Sequence, residues 1–409
     1  MNLVRLLSFA FAFVFTYPRC IGQVLDILDK EDTEIDTSEV HDLRLELDAI
    51  GFFRDNEYNS KMQNGYSLPG IRMNPHLEYT PLEQIKIEAG ASLLLFNGAN
   101  KYPCYVYHDI GTWKGNQYQP GAHVLPWARL QASFKHLDVI LGNIYGGSNH
   151  GLIAPLYNTE QTISTDPEMG LQLLWKLPRF TFDAWINWQS YQFELDTHQE
   201  AFTVGLCSEI RWNKSSLSGI QIYSPIQVVI QHRGGEQDIT NLGVQTIGNA
   251  SIGAGIRKNF AGWFNGFDAF ANTIGCYQQS GNLWPFEIGF MSHAGISASA
   301  WKHINARLDY TYTPKQFMSL YGNPFYNSLP IKNGGTQIRE DGSLIGRFEQ
   351  SYDKLHNLHL ELGYHYTFAK AYTLGADMEI YYHRLKDFNF SFGAYLRVAP
   401  SILLKKFTN

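Results

Sequence analysis

The stretch LHLELGYHYTFAKAYTLGADMEIYY, residues 358–382, decides how the rest of the chain is read. Leu358, Leu360, Leu362, Tyr364, Tyr366 and Phe368 occupy alternate positions, with His359, Glu361, Gly363, His365 and Thr367 between them. A period of two marks an extended chain with one apolar face. After Ala369-Lys370 the alternation resumes through Tyr372, Leu374, Ala376, Met378, Ile380 and Tyr382. Each arm has roughly the 9–11 residues that a tilted strand needs to cross a bilayer, more than the ~5–6 of an ordinary strand. The apolar face carries no charge, and aromatic rings gather near its ends. Tyr364, Tyr366, Phe368 and Tyr372 flank the turn and Tyr382 lies at the far end, the placement of a membrane girdle. The stretch predicts a transmembrane hairpin.

The same period recurs along most of the chain. Examples are Leu43 to Ala49, Ile85 to Leu95, Phe180 to Trp188, Ala250 to Ile256, Ile304 to Tyr312 and Phe388 to Val398. The series predicts about sixteen strands, within a range of about 14–18. Short connections near 80–83, 136, 178, 213–216, 258–263, 299–302 and 369–370 alternate with longer links at 54–70, 97–124, 146–167, 233–247 and 313–350. The link at 383–387 breaks the rule by being brief. The fold expected is an all-β, antiparallel transmembrane β-barrel over residues 43–409. Alternation alone also fits a secreted soluble all-β sandwich with its apolar face turned into a core. Strand length, the girdles and the alternation of links favour the barrel.

The N-terminus opens MNLVRLLSFAFAFVFTYPRCIGQV, with one Arg before a twelve-residue apolar run from Leu6 to Tyr17. This pattern predicts a signal peptide over residues 1–22, since the run is too short for a spanning helix. Residues 1–22 hold two bases and no acid, and residues 23–42 hold eight acids and one base, which leaves 30 acids and 29 bases for residues 43–409. The acidity is thus confined to a short segment, expected to be a solvated periplasmic tail. No basic footprint for nucleic acid is present. Mean hydropathy of −0.24 with 14% aromatic residues suits a barrel, whose apolar face is hidden in the alternation. Cys104, Cys207 and Cys276 show neither a disulfide framework nor metal-ligand spacing.

With these strands and connections, residues 43–409 resemble the Gram-negative outer-membrane barrel class of porins, polysaccharide exporters and capsule-assembly barrels. The resemblance implies an outer-membrane location and contact with outer-membrane lipid. It is one of architecture, without a family-specific motif. The end of the chain departs from the class: Phe407 stops two residues short of the C-terminus and Pro400 interrupts the approach. Either the last strand bulges at Pro400 or a short tail follows it.

If the apolar face meets lipid, the other face lines a lumen. It presents Arg129, Arg211, Arg257 and Arg307 against Glu209, Glu287, Asp309, Glu361, Asp377 and Glu379. The signs nearly balance, which predicts either weakly selective passage of small polar solutes or a wall braced by ion pairs. Tyr102, Tyr105, Tyr107, Trp113 and Tyr118 in the 97–124 link are the candidates for binding glycan, because aromatic faces beside polar groups suit sugar rings. Hydrolysis needs a nucleophile with a base in reach. His232 falls at the rim and Ser208 near mid-strand, so this pair is not expected to meet. The expectation is a non-enzymatic barrel without cofactor or metal: a passive channel or an envelope-glycan-associated barrel. The alternative is a scaffold or glycan-binding barrel with a closed lumen.

Overall fold

A computed structural model describes residues 23–60, 62–96, 122–191, 199–213, 219–235, 243–281, 284–329, 337–338, 344–345, 351–383 and 387–408. The wall strands are β1 (Asp42–Asn59), β2 (Asn64–Leu82), β3 (Ile85–Phe96), β4 (Ala122–Ser133), β5 (Leu137–Asn143), β6 (Met169–Leu177), β7 (Phe180–Ser190) and β8 (Ala201–Arg211). They continue as β9 (Gln221–Arg233), β10 (Gln245–Asn259), β11 (Phe264–Ser280), β12 (Ile288–Ala300), β13 (Ile304–Thr313), β14 (Leu355–Phe368) and β15 (Tyr372–His383). The last strand, β16, is in two pieces, Asp387–Val398 and Ser401–Lys406. Every strand pairs antiparallel with its chain neighbours, and β16 pairs back onto β1. The result is a closed sixteen-stranded barrel.

Closure is continuous across the interruption at Pro400. Ala49 faces Val398 and Glu57 faces Phe390, while Glu46 faces Ser401 and Asp42 faces Lys406. Between the two pieces the Leu47 amide donates to the Pro400 carbonyl at 3.2 Å. Proline costs the ladder one donor, and the bulge accommodates it. The chain therefore bulges at Pro400 and stays paired, and Phe407 packs on Tyr79 with ring centroids 5.5 Å apart.

The hairpin of β14 and β15 has the expected register, with Leu358 opposite Tyr382 and Phe368 opposite Tyr372. Its turn places Ala369 and Lys370 at φ +49° and +61°. Leu358, Leu362, Tyr364, Tyr366, Phe368, Tyr372 and Tyr382 are exposed on the outward face, and Glu361, Asp377 and Glu379 are buried on the inward face. The same outward set continues around the wall through Ile252, Ile256, Ile296 and Leu308.

Two expectations differ from the structure here. The long link expected at 54–70 is instead strand, because β1 and β2 run 18 and 19 residues and leave only residues 60–63 between them. Outward Asp55 and Glu57 end the apolar alternation while backbone pairing goes on. The acidic segment expected as a solvated tail instead enters the barrel. Its short helix α1 (Val24–Leu28) buries Val24, Leu25 and Leu28 against Ile50, Phe52, Leu68, Leu94, Ile163 and Tyr395.

Two of the long links also fold inward. Residues 144–168 place Leu156 and Ile163 inside, and residues 314–329 bury Phe317, Met318, Leu320, Tyr321, Phe325, Tyr326 and Leu329. Of the latter, Phe325 packs with Met62 and Tyr381, and the rest form with Trp284 and Met291 an apolar core within the barrel. Its burial resembles that of a soluble protein, and each large side chain so buried contributes ~1.5–3 kcal/mol. The barrel thus has lipid outside and a packed protein interior.

An arginine replacing outward Leu362, near the middle of β14, is expected to destabilise the folded barrel by ~2–4 kcal/mol. Urea unfolding from detergent or liposomes measures this, and an unchanged midpoint would argue that this face is not in hydrocarbon.

Candidate functional site

The inward charges are gathered into cages by the wall and the inserted segments. Arg54 on β1 reaches Glu160 of the 144–168 segment at 3.1 Å, Glu379 at 2.6 Å and Asp377 at 3.4 Å. Asn56 and Tyr66 donate to the same Glu160, and Tyr381 donates to Glu379. Beside this cage Asp309 meets Arg307 at 2.7 Å, His293 at 3.4 Å and His359 at 3.5 Å. His359 also lies 3.5 Å from Glu379, which joins the two cages. Glu209 takes Arg257 at 2.5 Å and Arg211 at 2.8 Å, with the Arg257 guanidinium over the Tyr223 ring. Buried charge persists only when paired in this way. Glu361 sits between Arg307 and Glu379 in register and is 1% exposed, yet neither of its carboxylate oxygens has a hydrogen-bond partner among the described residues.

Arg129 organises the junction with the N-terminal segment. Its guanidinium lies 2.8 Å from Glu31 and 3.3 Å from Glu88, 3.9 Å above the Tyr145 ring. His76, Glu78 and Glu88 converge beside it with the spacing of metal ligands. Lys86 already stands 3.2 Å from Glu88 and 3.6 Å from Glu78, and Arg129 supplies a second cation. These carboxylates are neutralised by the chain itself, so the grouping is an ion-pair cage.

Further along the inserted segment, His150 stacks on Trp185 at 3.5 Å between Asp183 at 2.7 Å and Glu168 at 3.3 Å. Burial pulls this imidazole down, but the two carboxylates outweigh it and hold it up to about 9. Gly205 makes room for the indole, since a Cβ there would fall 2.0 Å from Trp185. This cluster pins the 144–168 segment to β7 and leaves no reactive atom free.

On the outward face, a row of side chains runs across four strands at the rim from which the long links rise. Trp188 on β7 stacks on Phe202 of β8 at 5.1 Å, and Phe202 contacts His232 of β9 at 5.1 Å. His232 stands opposite Thr246 of β10, and the Thr246 hydroxyl lies 2.8 Å from His232 Nδ1. Both side chains are half-exposed, with Ile230 and Val204 exposed on the same face toward the bilayer. Ser208, the hydroxyl weighed against His232 in the sequence, pairs instead with Ile226 and stays apart from it. The partner that the sequence did not reveal is Thr246. It stands opposite His232 in a regular β9–β10 register, while the bulge at this level lies on β11, where Gln279 is the extra residue.

Residues 35–407, which include the whole barrel wall, match the lipid A 3'-O-deacylase-type family. The chain belongs to this family. The expectation of a non-enzymatic barrel is overturned by that match, because a lipid A 3'-O-deacylase-type family is one of enzymes. Beyond Ser208 and His232, no motif in the sequence marks a nucleophile and base. Among solved structures, this lipid A 3'-O-deacylase-type chain is similar to the outer membrane protein OprD from Pseudomonas aeruginosa. The two are 11% identical with a TM-score of 0.47, covering 92% of this chain and 97% of that one. It is also similar to OccAB1 of Acinetobacter baumannii at 10% identity and a TM-score of 0.48, covering 91% and 99%. No curated protein matches it. The protein is an outer-membrane β-barrel.

Of the residues singled out in the sequence, Arg129, Glu209, Arg257, Asp309, Glu361, Asp377 and Glu379 are buried on the inward face, and Arg211 and Arg307 are half-buried there. Glu287 is not with them: it is exposed in the bend before β12, because the alternation that starts at Trp284 becomes strand only from Ile288. Tyr102, Tyr105, Tyr107, Trp113 and Tyr118 lie outside the described residues. Nothing in the alternation singles out Arg54, Glu160, His150 or the N-terminal helix.

Docking of the N-terminal segment is expected to depend on pH. Burial raises Asp29 to about 7 against the lowering effect of Arg72 at 2.7 Å, and raises Asp26 to about 6 against Ser148 and Arg307. Free aspartate titrates near ~3.9, so between about 4 and 7 the docked state binds more protons than the released one. Docking stability therefore falls as pH rises through that window. Limited proteolysis should cut the segment before residue 41 faster at pH 8 than at pH 5, and equal or reversed rates would contradict the linkage.

Proposed function

We propose that the protein hydrolyses an ester-linked acyl chain of a lipid A-class glycolipid in the outer leaflet, using the barrel as a scaffold. The family match across the entire wall carries this reading. Two structural features support it. First, three inserted segments and their ion-pair cages occupy the interior, which favours the closed-lumen alternative over free passage of solutes. Second, the outward face offers aromatic and aliphatic side chains up to the rim, where the acyl esters of an outer-leaflet glycolipid lie. With the long links outside the cell and the short turns in the periplasm, that rim faces the headgroup layer.

The purified full-length protein in detergent, given acylated lipid A, is expected to release free fatty acid, detected by mass spectrometry together with a glycolipid lighter by one acyl group. No release over a range of detergents and divalent-cation concentrations would reject the hydrolase reading. In planar bilayers the same preparation is expected to show no stepwise conductance. Reproducible single-channel openings would show that the inserted segments leave a pore.

A further inference from the structure

We propose that the periplasmic rim from β10 to β15 binds anionic glycerophospholipid of the inner leaflet, with Lys302 and Lys370 holding the headgroup phosphates. The site is independent of the hydrolysis proposed above. Backbone geometry points to it first. Trp301 and Lys302 close the β12–β13 turn at φ +49° and +62°, and Ala369 and Lys370 close the β14–β15 turn at +49° and +61°. Turns with two left-handed central residues favour Asn-Gly, because this backbone brings Cβ close to the following carbonyl oxygen. Both turns nevertheless place an exposed lysine at the second position. Glycine would serve the turn better, so the turn gives no reason for the lysine. Strain of this kind collects where a side chain has a task.

Charge points the same way. Residues 258–267, 298–306 and 364–376 form this part of the rim, and they contain Lys258, Lys302 and Lys370 but no acid. The acidic N-terminal segment runs past other strands. Thr33 accepts hydrogen bonds from Gln131 on β4 and Lys176 on β6, and Glu39 pairs with Arg44 on β1. Lys135 and Arg179 are also exposed in turns of this rim, but neither takes left-handed φ.

The surface beside the lysines suits a lipid. The Trp301 amide donates to the Trp263 carbonyl and the two indoles lie 5.3 Å apart, so the β10–β11 and β12–β13 turns form one platform. Trp263 and Trp301 are 63% and 57% exposed. The His303 carbonyl accepts from the His365 amide at 2.9 Å, which joins this platform to β14, and Phe368 stacks on Tyr372 at 5.6 Å beside Lys370. Such rings settle at the headgroup layer, and exposed Ile296, Ile304 and Leu362 continue the face into hydrocarbon. A lipid laid here has its acyl chains on aliphatic side chains, its glycerol region on the indoles and its phosphate at the lysines. A zwitterionic headgroup brings its own cation and gains little from them.

The test uses full-length protein refolded in detergent, with folding of every variant verified by heat-modifiable mobility on gels. Native mass spectrometry measures binding of phosphatidylglycerol and of phosphatidylcholine with the same acyl chains. Phosphatidylglycerol is expected to bind the unaltered chain at least about tenfold more tightly. K302Q and K370Q should each weaken it about fivefold, which corresponds to ~1 kcal/mol per lysine at a charged membrane surface, and leave phosphatidylcholine unchanged. K315Q, on the opposite rim, should match the unaltered chain. K302G should lose the same binding as K302Q while its thermal midpoint in detergent stays unchanged or rises, because glycine relieves the turn. A phosphatidylglycerol with a photoactivatable headgroup is expected to cross-link within residues 258–267, 298–306 and 364–376. Equal binding of the two lipids would leave the lysines to a soluble acidic partner and overturn the site. Undiminished binding by K302Q, K302G and K370Q, or cross-linking confined to other turns, would overturn it as well.

Discussion

A strand in hydrocarbon has no water to satisfy its backbone, and an open sheet edge would leave a full row of amides and carbonyls unpaired. The pairing of β1 with β16 removes that edge, and the rest of the structure depends on it. It holds across the interruption at Pro400, where the carbonyl still accepts from Leu47 although the proline contributes no donor. The bulge also carries Ser401–Lys406 onward so that it can pair with the start of β1. A straight strand stopping at Val398 would leave residues 42–46 with β2 alone as a partner. The proline marks the site of a bend that completes the ring.

Closure creates an interior, and the interior must be filled or flooded. Here it is filled. The charges on the inward face are too deeply buried to stand alone, and the inserted segments answer them: Glu160 for Arg54, Glu31 for Arg129, Asp29 for Arg72. Such pairs add little net stability, because the desolvation they suffer is comparable to their attraction. Their effect is specificity. A segment that brings the wrong charge to Arg54, which already faces Asp377 and Glu379, would leave a buried ion uncompensated. The apolar contacts of Phe317, Tyr326 and Leu329 supply the driving force, and the charges select the register.

The wall was legible in the sequence wherever one face met lipid and the other did not. The β14–β15 hairpin is the clearest example, since both faces obey the rule over its whole length. Legibility failed where the two environments stop differing. Beyond Phe53 the outward side of β1 carries Asp55 and Glu57, so strand continued while the apolar alternation did not. The N-terminal helix failed for a related reason. Eight acids in twenty residues read as solvated when no partner is in view, and the cations that receive Asp29 and Glu31 lie on β2 and β4, distant in sequence. Enzyme chemistry was the least legible part. No motif in the sequence marks the family's chemistry, because side chains on neighbouring strands meet through strand pairing and not through spacing along the chain.

A filled barrel also changes where chemistry on a lipid can take place. A substrate anchored by several acyl chains leaves the leaflet only at the cost of exposing them, at ~0.8 kcal/mol per methylene. Entry through a lumen packed with protein would add the displacement of the inserted segments to that cost. The outward face at the rim avoids both penalties, because there the chains remain in hydrocarbon while the ester reaches the water layer. At that boundary outward aromatic side chains, Trp188 and Phe202 among them, meet the water layer. On this view the packed interior has a mechanical role: it stiffens β8, β9 and β10 from behind, through Tyr321 on Thr203 and Gln231 and Met318 on Asn249. Side chains on the far side of the same strands are thereby held in register.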